Sequence, residues 1–352
     1  MKCIDELLDA WDWSRRNIRE LYTIFYDIKQ AYDSVHTDVL ARSMHRLQLP
    51  DAFIRLIIDS LTNLSSCIRT PYGITRCFSV RRSLRQGDPL APLLFVILVD
   101  ALHDGLEVNP FTNQRHGCIL DYPAESIEVS SLGYADDTNI LTTSLPDLFI
   151  QNEWVQYFMR YNRLRLNPLK CELVGRNADG VPVTQAALDA HNITIDGVAI
   201  APLPHDQPIR YLGVHSCFNG SWKEQQKKAL AVIAKFTRLA LKFHLSIRET
   251  VYMFNVFLTS RLELALHYVH GPGTSTWIKN CDRLMAGCIK HLAQSPLRLS
   301  HTALATALHF VLPSRLERSI KVSELFLRLN SSDPRWGRLG RAVFRQDLVE
   351  LH

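Results

Sequence analysis

The chain has 352 residues, 47% hydrophobic and 21% charged, with a net charge of +5, which suits a sizeable buried core, excludes a disordered tail, and is too mildly basic to identify a partner. Its longest apolar stretch, Leu90 to Leu102, is broken by Asp100, and acids interrupt the N-terminal MKCIDELLDAWDW. This argues against a membrane span and a secretory signal, for an intracellular setting, nuclear or cytoplasmic. The eight cysteines include no CxxC pair, so neither a disulfide framework nor a zinc knuckle is expected.

About twenty residues lead to Leu21–Tyr26 (LYTIFY), which reads as a buried strand ending at Asp27. A helix is expected from an N-cap at Thr37, and another from Pro50 and Asp51 with Phe53, Leu56, Ile57, Ser60 and Leu61 at helical spacing. Pro71, Tyr72 and Gly73 form a turn between two short strands. Asp88 is placed to cap a helix whose first turn holds Pro89. Between Glu128 and Thr143 the pattern is strand, polar turn, strand, with Tyr134-Ala-Asp-Asp137 at the turn. A helix over 147–162 and a strand over 171–175 follow. Residues 176–209 hold four prolines and a hairpin signal at Asp196-Gly197, and read as an exposed insertion. After Tyr211-Leu-Gly213 the chain turns helical, broken at Gly271-Pro-Gly273. The expected architecture is an α+β domain followed by a helical one, with the boundary near residue 220.

Asp27 at a strand end and Asp136 with Asp137 in a hairpin turn are placed to build a carboxylate cluster from distant parts of the sequence. Such a cluster suits nucleotidyl transfer, in which one divalent ion activates the attacking hydroxyl and a second steadies the leaving pyrophosphate. Magnesium takes hard oxygen ligands and keeps sites for water and phosphate, so a few carboxylates suffice. An Asp-Asp turn alone is usually only solvated.

The order of motifs adds to this. Asp27-Ile-Lys-Gln-Ala-Tyr-Asp33-Ser-Val35, Arg85-Gln-Gly-Asp-Pro-Leu90, Tyr134-Ala-Asp-Asp137, Asn167-Pro-Leu-Lys170 and Tyr211-Leu-Gly213 together resemble the reverse transcriptase family, in particular its branch from retrotransposons without long terminal repeats. The resemblance implies a polymerase palm, an antiparallel sheet with packed helices, over residues 21–219, and a mostly helical thumb over 220–352. Residues 1–20 are then a remnant of the fingers or a linker, and a missing fingers segment would have to come from elsewhere. It also implies an RNA-directed DNA polymerase taking an RNA template, a DNA primer and deoxynucleoside triphosphates. Asp27, Asp136, Asp137 and the carbonyl of Ile28 would hold two Mg2+ ions, with Mn2+ as a substitute.

By the same resemblance Tyr32 stands against the sugar of the incoming nucleotide, and Gln86 and Gly87 contact nucleotide and template. Lys170 stands near the leaving pyrophosphate, although a solvated lysine after an Asn-Pro turn is the competing reading. Tyr211, Leu212 and Gly213 form the primer grip. Lys228, Lys235 and Lys242 recur every seven residues beside an apolar seam of Ala229, Val232, Phe236, Leu239 and Phe243; they suit a phosphate backbone or an ordinary solvated face. A second row is Arg335, Arg338, Arg341 and Arg345. The alternative function is an inert remnant that binds RNA or duplex through its basic thumb.

Overall fold

The computed structural model describes residues 2–62, 64–80, 84–85, 87–122, 125–271, 273–294 and 300–329. It divides into two units, Met1–His205 and Asp206–His352. In the first, α1 (Lys2–Asn17) leads to β1 (Leu21–Tyr26), a 3-10 turn at Tyr32–Ser34, α2 (Thr37–Arg46) and α3 (Asp51–Leu61). The short strands β2 (Leu64–Ser66), β3 (Arg69–Thr70), β4 (Gly73–Ile74) and β5 (Phe78–Val80) precede α4 (Ala91–Glu107). Then come β6 (Cys118–Tyr122), β7 (Glu125–Val129), β8 (Ser131–Tyr134), β9 (Asp137–Thr142), α5 (Leu145–Tyr161) and β10 (Glu172–Arg176). The unit closes with α6 (Gln185–Ala190), β11 (Thr194–Ile195) and β12 (Val198–Ala199).

Its central sheet is antiparallel, in the order β10-β1-β9-β8. All six residues of β1 are buried, because both faces of this strand are covered. Tyr22, Ile24 and Tyr26 join a core with Phe95, Leu98 and Leu102 of α4 and Leu148 and Val155 of α5. The opposite face meets α1: the Trp11 indole donates to Thr23 Oγ1 at 3.2 Å, and its ring stands edge-on to Phe25 at 6.1 Å. Residues 2–17, expected as a fingers remnant or linker, thus form a helix packed on the sheet, with Ile4, Leu7, Ala10, Trp11 and Trp13 buried. Scattered acids, Asp5, Asp9 and Asp12, had masked its apolar side.

Other departures are local. Thr37 opens α2 behind an N-cap at His36. On α3 the buried line is Ile54, Ile57 and Leu61, while Phe53 is 45% and Leu56 65% exposed. Asp88 does not cap α4, whose N-cap is Leu90 with no side-chain cap; its carboxylate instead accepts from the Leu90 N–H at 2.9 Å, in the turn that precedes the helix. Residues 176–209 are only partly an exposed insertion, because Val183, Leu188, Ile193, Ile195 and Ile200 belong to the core. Asn152 and Gln156 of α5 both donate to the Thr194 carbonyl, at 2.8 and 3.1 Å. The β11–β12 hairpin turns at Asp196 (φ 47°) and Gly197 (φ 75°), as the sequence predicts.

Where α4 meets α5, Gly105 lies under Trp154, and a Cβ there would stand 2.4 Å from the indole ring. That ring is held by its N–H bond to the Leu102 carbonyl at 3.0 Å. Gly105→Ala is therefore expected to cost about 1–3 kcal/mol through overpacking, measured as a lower urea midpoint at unchanged slope. A midpoint equal to that of the parent would mean that the indole shifts freely.

The second unit begins with the hairpin β13 (Pro208–Tyr211) and β14 (Val214–Cys217), followed by α7 (Lys223–Lys242), α8 (Ile247–Met253) and a π turn at Phe254–Leu258. Then come α9 (Thr259–Tyr268), α10 (Thr274–Leu292), α11 (His301–Leu308) and α12 (Pro313–Leu329). The division at His205/Asp206 falls before the expected boundary near 220, because the hairpin pairs with itself and its His215 N–H is held by Gln225 Oε1 of α7 at 3.0 Å. The buried line of α7 is Gln225, Ala229, Ile233 and Ala240. It is rotated from the expected seam, leaving Phe243 63% exposed and Phe236 under the Arg261 guanidinium at 5.7 Å. No helix among the described residues is long and apolar enough to cross a membrane.

Candidate active site

The β1–β9 ladder runs from Tyr22↔Thr142 to Tyr26↔Thr138. Asp27 follows directly on β1 and Asp137 opens β9, so both lie at the same end of the sheet. The β8–β9 hairpin closes at Tyr134↔Asp137, so Ala135 and Asp136 make a two-residue turn, with Ala135 at φ 55°. Residues 27, 136 and 137 thus meet at one end of the sheet. Asp27 and Asp136 are half-buried and Asp137 is exposed. The three carboxylates do not all come within 4.8 Å of one another, an open spacing that like charges favour.

Asp27 is held mainly by its backbone. Its N–H points at Cys171 Sγ at 3.4 Å, and its carbonyl accepts from Asn167 N–H at 2.8 Å. Burial pushes the Cys171 thiol up to about 11; the charge of Asp27 adds to this, and N–H bonds from Asp27 and Asn167 oppose it. Cys171 therefore stays a neutral acceptor. Lys170 places its ammonium 4.0 Å from Asp27 Oδ2 while its side chain is 68% exposed, so the lysine is both solvated and within reach of the cluster. Ile28 is buried and bridges to Leu166. The hydrogen bonds around that bridge use the Asp27 carbonyl and the Lys29 N–H, not the Ile28 carbonyl.

Tyr32 stacks on Phe95 of α4, centroids 5.1 Å apart, and its carbonyl accepts from Leu84 N–H at 2.8 Å. Burial raises its phenol pKa, and the charges of Asp136 and Tyr134 raise it further. Tyr32 therefore lies close enough to Asp136 to feel its charge, and stays a neutral hydroxyl at physiological pH. Gly87 adopts φ +91° with nothing near its Cβ position, a conformation that glycine takes at little cost. Gln86, the other residue expected here, lies outside the described residues.

In the second unit, Tyr211 is buried and Leu212 (φ 48°) and Gly213 (φ 86°) form the hairpin turn. Lys228, Lys235 and Lys242 are all exposed on α7. Lys228 donates to His215 Nε2 at 2.7 Å and lies 3.8 Å from Glu224. Burial, then the Lys228 charge, lowers the His215 pKa, which keeps its ring a neutral acceptor. Lys242 stands over the Phe243 ring at 5.6 Å. Arg335, Arg338, Arg341 and Arg345 fall outside the described residues.

Two supporting residues escaped the sequence reading. Cys171 anchors Asp27, and nothing in its spacing marks it. Gly133 admits His103 against the strand leading into the turn, where a Cβ would stand 2.3 Å from His103 Nε2; His103 Nδ1 lies 2.9 Å from Ser131 Oγ. A glycine inside a strand is the one signal for such a close approach.

Residues 4–216 match the family model described as reverse transcriptase (RNA-dependent DNA polymerase). The chain belongs to the reverse transcriptase family. The match includes α1, and the type is that of retrotransposons without long terminal repeats. Two relatives, each a retrovirus-related Pol polyprotein from the type-1 retrotransposable element R2 of Popillia japonica, share 26% identity over 261 residues and 30% over 222. These alignments cover 73% and 62% of this chain but only 40% and 29% of the relatives. The chain thus spans less than half the length of these polyproteins. A solved structure of apo telomerase from Candida tropicalis is similar at 12% identity and a TM-score of 0.45, over 97% of this chain and 56% of that one. Reverse transcriptases generally use divalent metal ions, and the donor set here, hard carboxylate oxygens at a strand end, fits such ions.

Proposed function

We propose that this chain is an RNA-directed DNA polymerase, extending a DNA primer on an RNA template with deoxynucleoside triphosphates, inside the cell. The β1–β9 register carries the reading, because it brings Asp27 to the turn that holds Asp136 and Asp137. Asp27, Asp136, Asp137 and the Ile28 carbonyl would hold two Mg2+ ions, with Mn2+ able to replace them. When bound, these ions activate the primer hydroxyl and steady the charge on the leaving pyrophosphate.

The chain's own residues supply the rest. Asp27 is fixed through its backbone by Asn167 and Cys171. Lys170, exposed and 4.0 Å from Asp27 Oδ2, would balance negative charge on the pyrophosphate or give it a proton. Tyr32, backed by Phe95, offers a flat wall to the sugar. Gln86 and Gly87 border the nucleotide, and the turn Tyr211, Leu212 and Gly213 steadies the primer end.

Primer extension by the purified chain on an RNA template, alone and supplied with an R2-type fingers segment, tests the proposal. Incorporation should require magnesium and stop with EDTA. No incorporation under either condition removes the catalytic reading.

The exposed lysines of α7 are proposed to track a phosphate backbone. Removing Lys228, Lys235 and Lys242 together should lower the slope of log affinity against log salt for an RNA–DNA hybrid by about 2 to 3. An unchanged slope would mark the row as a solvated face only.

A further inference from the structure

Helix α5 carries a row of rings that stand largely in solvent. Trp154, Tyr157 and Tyr161 are spaced by three and four residues, so their side chains share one stripe of the helix. Their planes are nearly parallel: Trp154 and Tyr157 have centroids 5.8 Å apart at 25°, and Tyr157 and Tyr161 6.0 Å apart at 18°. Phe111 meets Trp154 and Tyr157 edge-on, and its N–H is held by Asn109 Oδ1 at 2.9 Å. Near-parallel rings at such separations are slid past one another, which leaves part of each face open. Accordingly Phe111 is 54%, Tyr157 43% and Tyr161 60% exposed. Single exposed rings are ordinary, but a contiguous set of them marks a binding surface.

The row runs into positive charge. The Arg42 guanidinium lies over the Tyr161 ring at 5.5 Å. Asp38 joins Arg42, at 3.5 Å, to Arg163, at 3.4 Å, and Arg163 lines a polar cavity of about 800 Å3. Lys29, Arg160 and Arg165 line the same cavity, and all of these cations are exposed. Asp196, the one carboxylate of the lining, lies 4.0 Å from Arg160. Lys29 and Arg165 have no ion-pair partner among the described residues. Five cations, Arg42 included, are thus set against Asp38 and Asp196, and the path is net positive from the rings to the cavity.

We propose that this surface binds a single strand of nucleic acid. Bases would stack on the open faces of Phe111, Tyr157 and Tyr161, while phosphates follow Arg42 and Arg163 into the cavity. Every base has a flat face, so such a track needs no particular sequence. A duplex does not suit it, because paired bases are already stacked on one another and offer the rings no free face. A protein partner would match the rings but not an excess of cations around a wide cavity, which calls for a polyanion. The track lies on the side of α5 turned away from Leu148 and Val155, which face the core. It uses none of Asp27, Asp136, Asp137 or the α7 lysines, so it stands or falls apart from the polymerase reading.

The test is fluorescence anisotropy of the full chain with labelled single strands of RNA and of DNA, about twelve nucleotides long, in EDTA and without nucleotides. Tyr157→Ala combined with Tyr161→Ala should weaken binding at least about tenfold at every salt concentration, and leave the slope of log affinity against log salt unchanged. Phenylalanine at both positions keeps the rings and should bind as the parent does. Arg160→Ala combined with Arg163→Ala should instead lower the slope by about 1 to 1.5, a readout that does not depend on the tyrosine variant folding well. Affinity for an RNA–DNA hybrid should be the same in the tyrosine-to-alanine pair and the parent. Tighter binding of RNA than of DNA would identify RNA as the ligand, through its 2′-hydroxyls, and equal affinity would mean that the track takes either strand. Single-strand binding that neither pair alters overturns the proposal and leaves the rings to a protein partner. So does an equal loss for hybrid and single strand on removing the tyrosines.

Discussion

Asp136→Ala is expected to reduce primer extension on an RNA template by on the order of 10³-fold or more, because a carboxylate that holds an activating ion has no substitute in the cluster. The residue sits in a two-residue turn, is half-buried, and makes no ladder pair of its own. The substitution should therefore leave the melting transition close to that of the parent. Activity and stability then separate cleanly. Asp27→Ala should be equally inactive, while its backbone bonds to Asn167 and Cys171 persist. An Asp136→Ala protein that still extends primers within tenfold of the parent would remove this aspartate from the chemistry.

Tyr32→Ala should change which sugar is accepted. The ring is backed by Phe95 at 5.1 Å and lies near Asp136, so it cannot swing aside without losing its stack. Taking it away opens space where a 2′-hydroxyl could fit, and discrimination against ribonucleotides is expected to fall about 10- to 100-fold, the scale at which pocket shape separates close substrates. The readout is the ratio of kcat/KM for a deoxynucleotide to that for the matching ribonucleotide. A ratio unchanged from the parent would leave Tyr32 as a packing residue. Loss of the stacked pair should also cost some stability, about 0.5–1.5 kcal/mol beyond the area buried.

The legible parts of this fold were those in which local chemistry dictates backbone shape. Asp196-Gly197 read as a turn because both residues accept positive φ. LYTIFY read as a strand because β-favouring residues fill it without a break. The strand–turn–strand pattern around Asp136 told where the acids sit along the chain, while the ladder that brings the end of β1 beside the start of β9 depends on pairing between segments more than a hundred residues apart. Helix α1 was missed because its acids dilute the apolar stripe, and because the need for a cover on the second face of β1 appears only once the sheet is assembled. The same holds for Gly105, whose role is defined by Trp154 about fifty residues away. On α7 the periodicity was right but its phase was not: the buried line is set by which helices press on it, as in the bond from the Trp277 indole to the Gln226 carbonyl at 3.1 Å.

Gathering Asp27, Asp136 and Asp137 at one end of the sheet has a thermodynamic side. Like charges held near one another oppose folding, and Lys170, largely exposed, compensates for Asp27 only in part. That end of the sheet is accordingly the one its charges favour least. Amides in place of these acids would make a sturdier molecule and an idle one, so breeding this protein for heat tolerance alone would tend to erase its chemistry first.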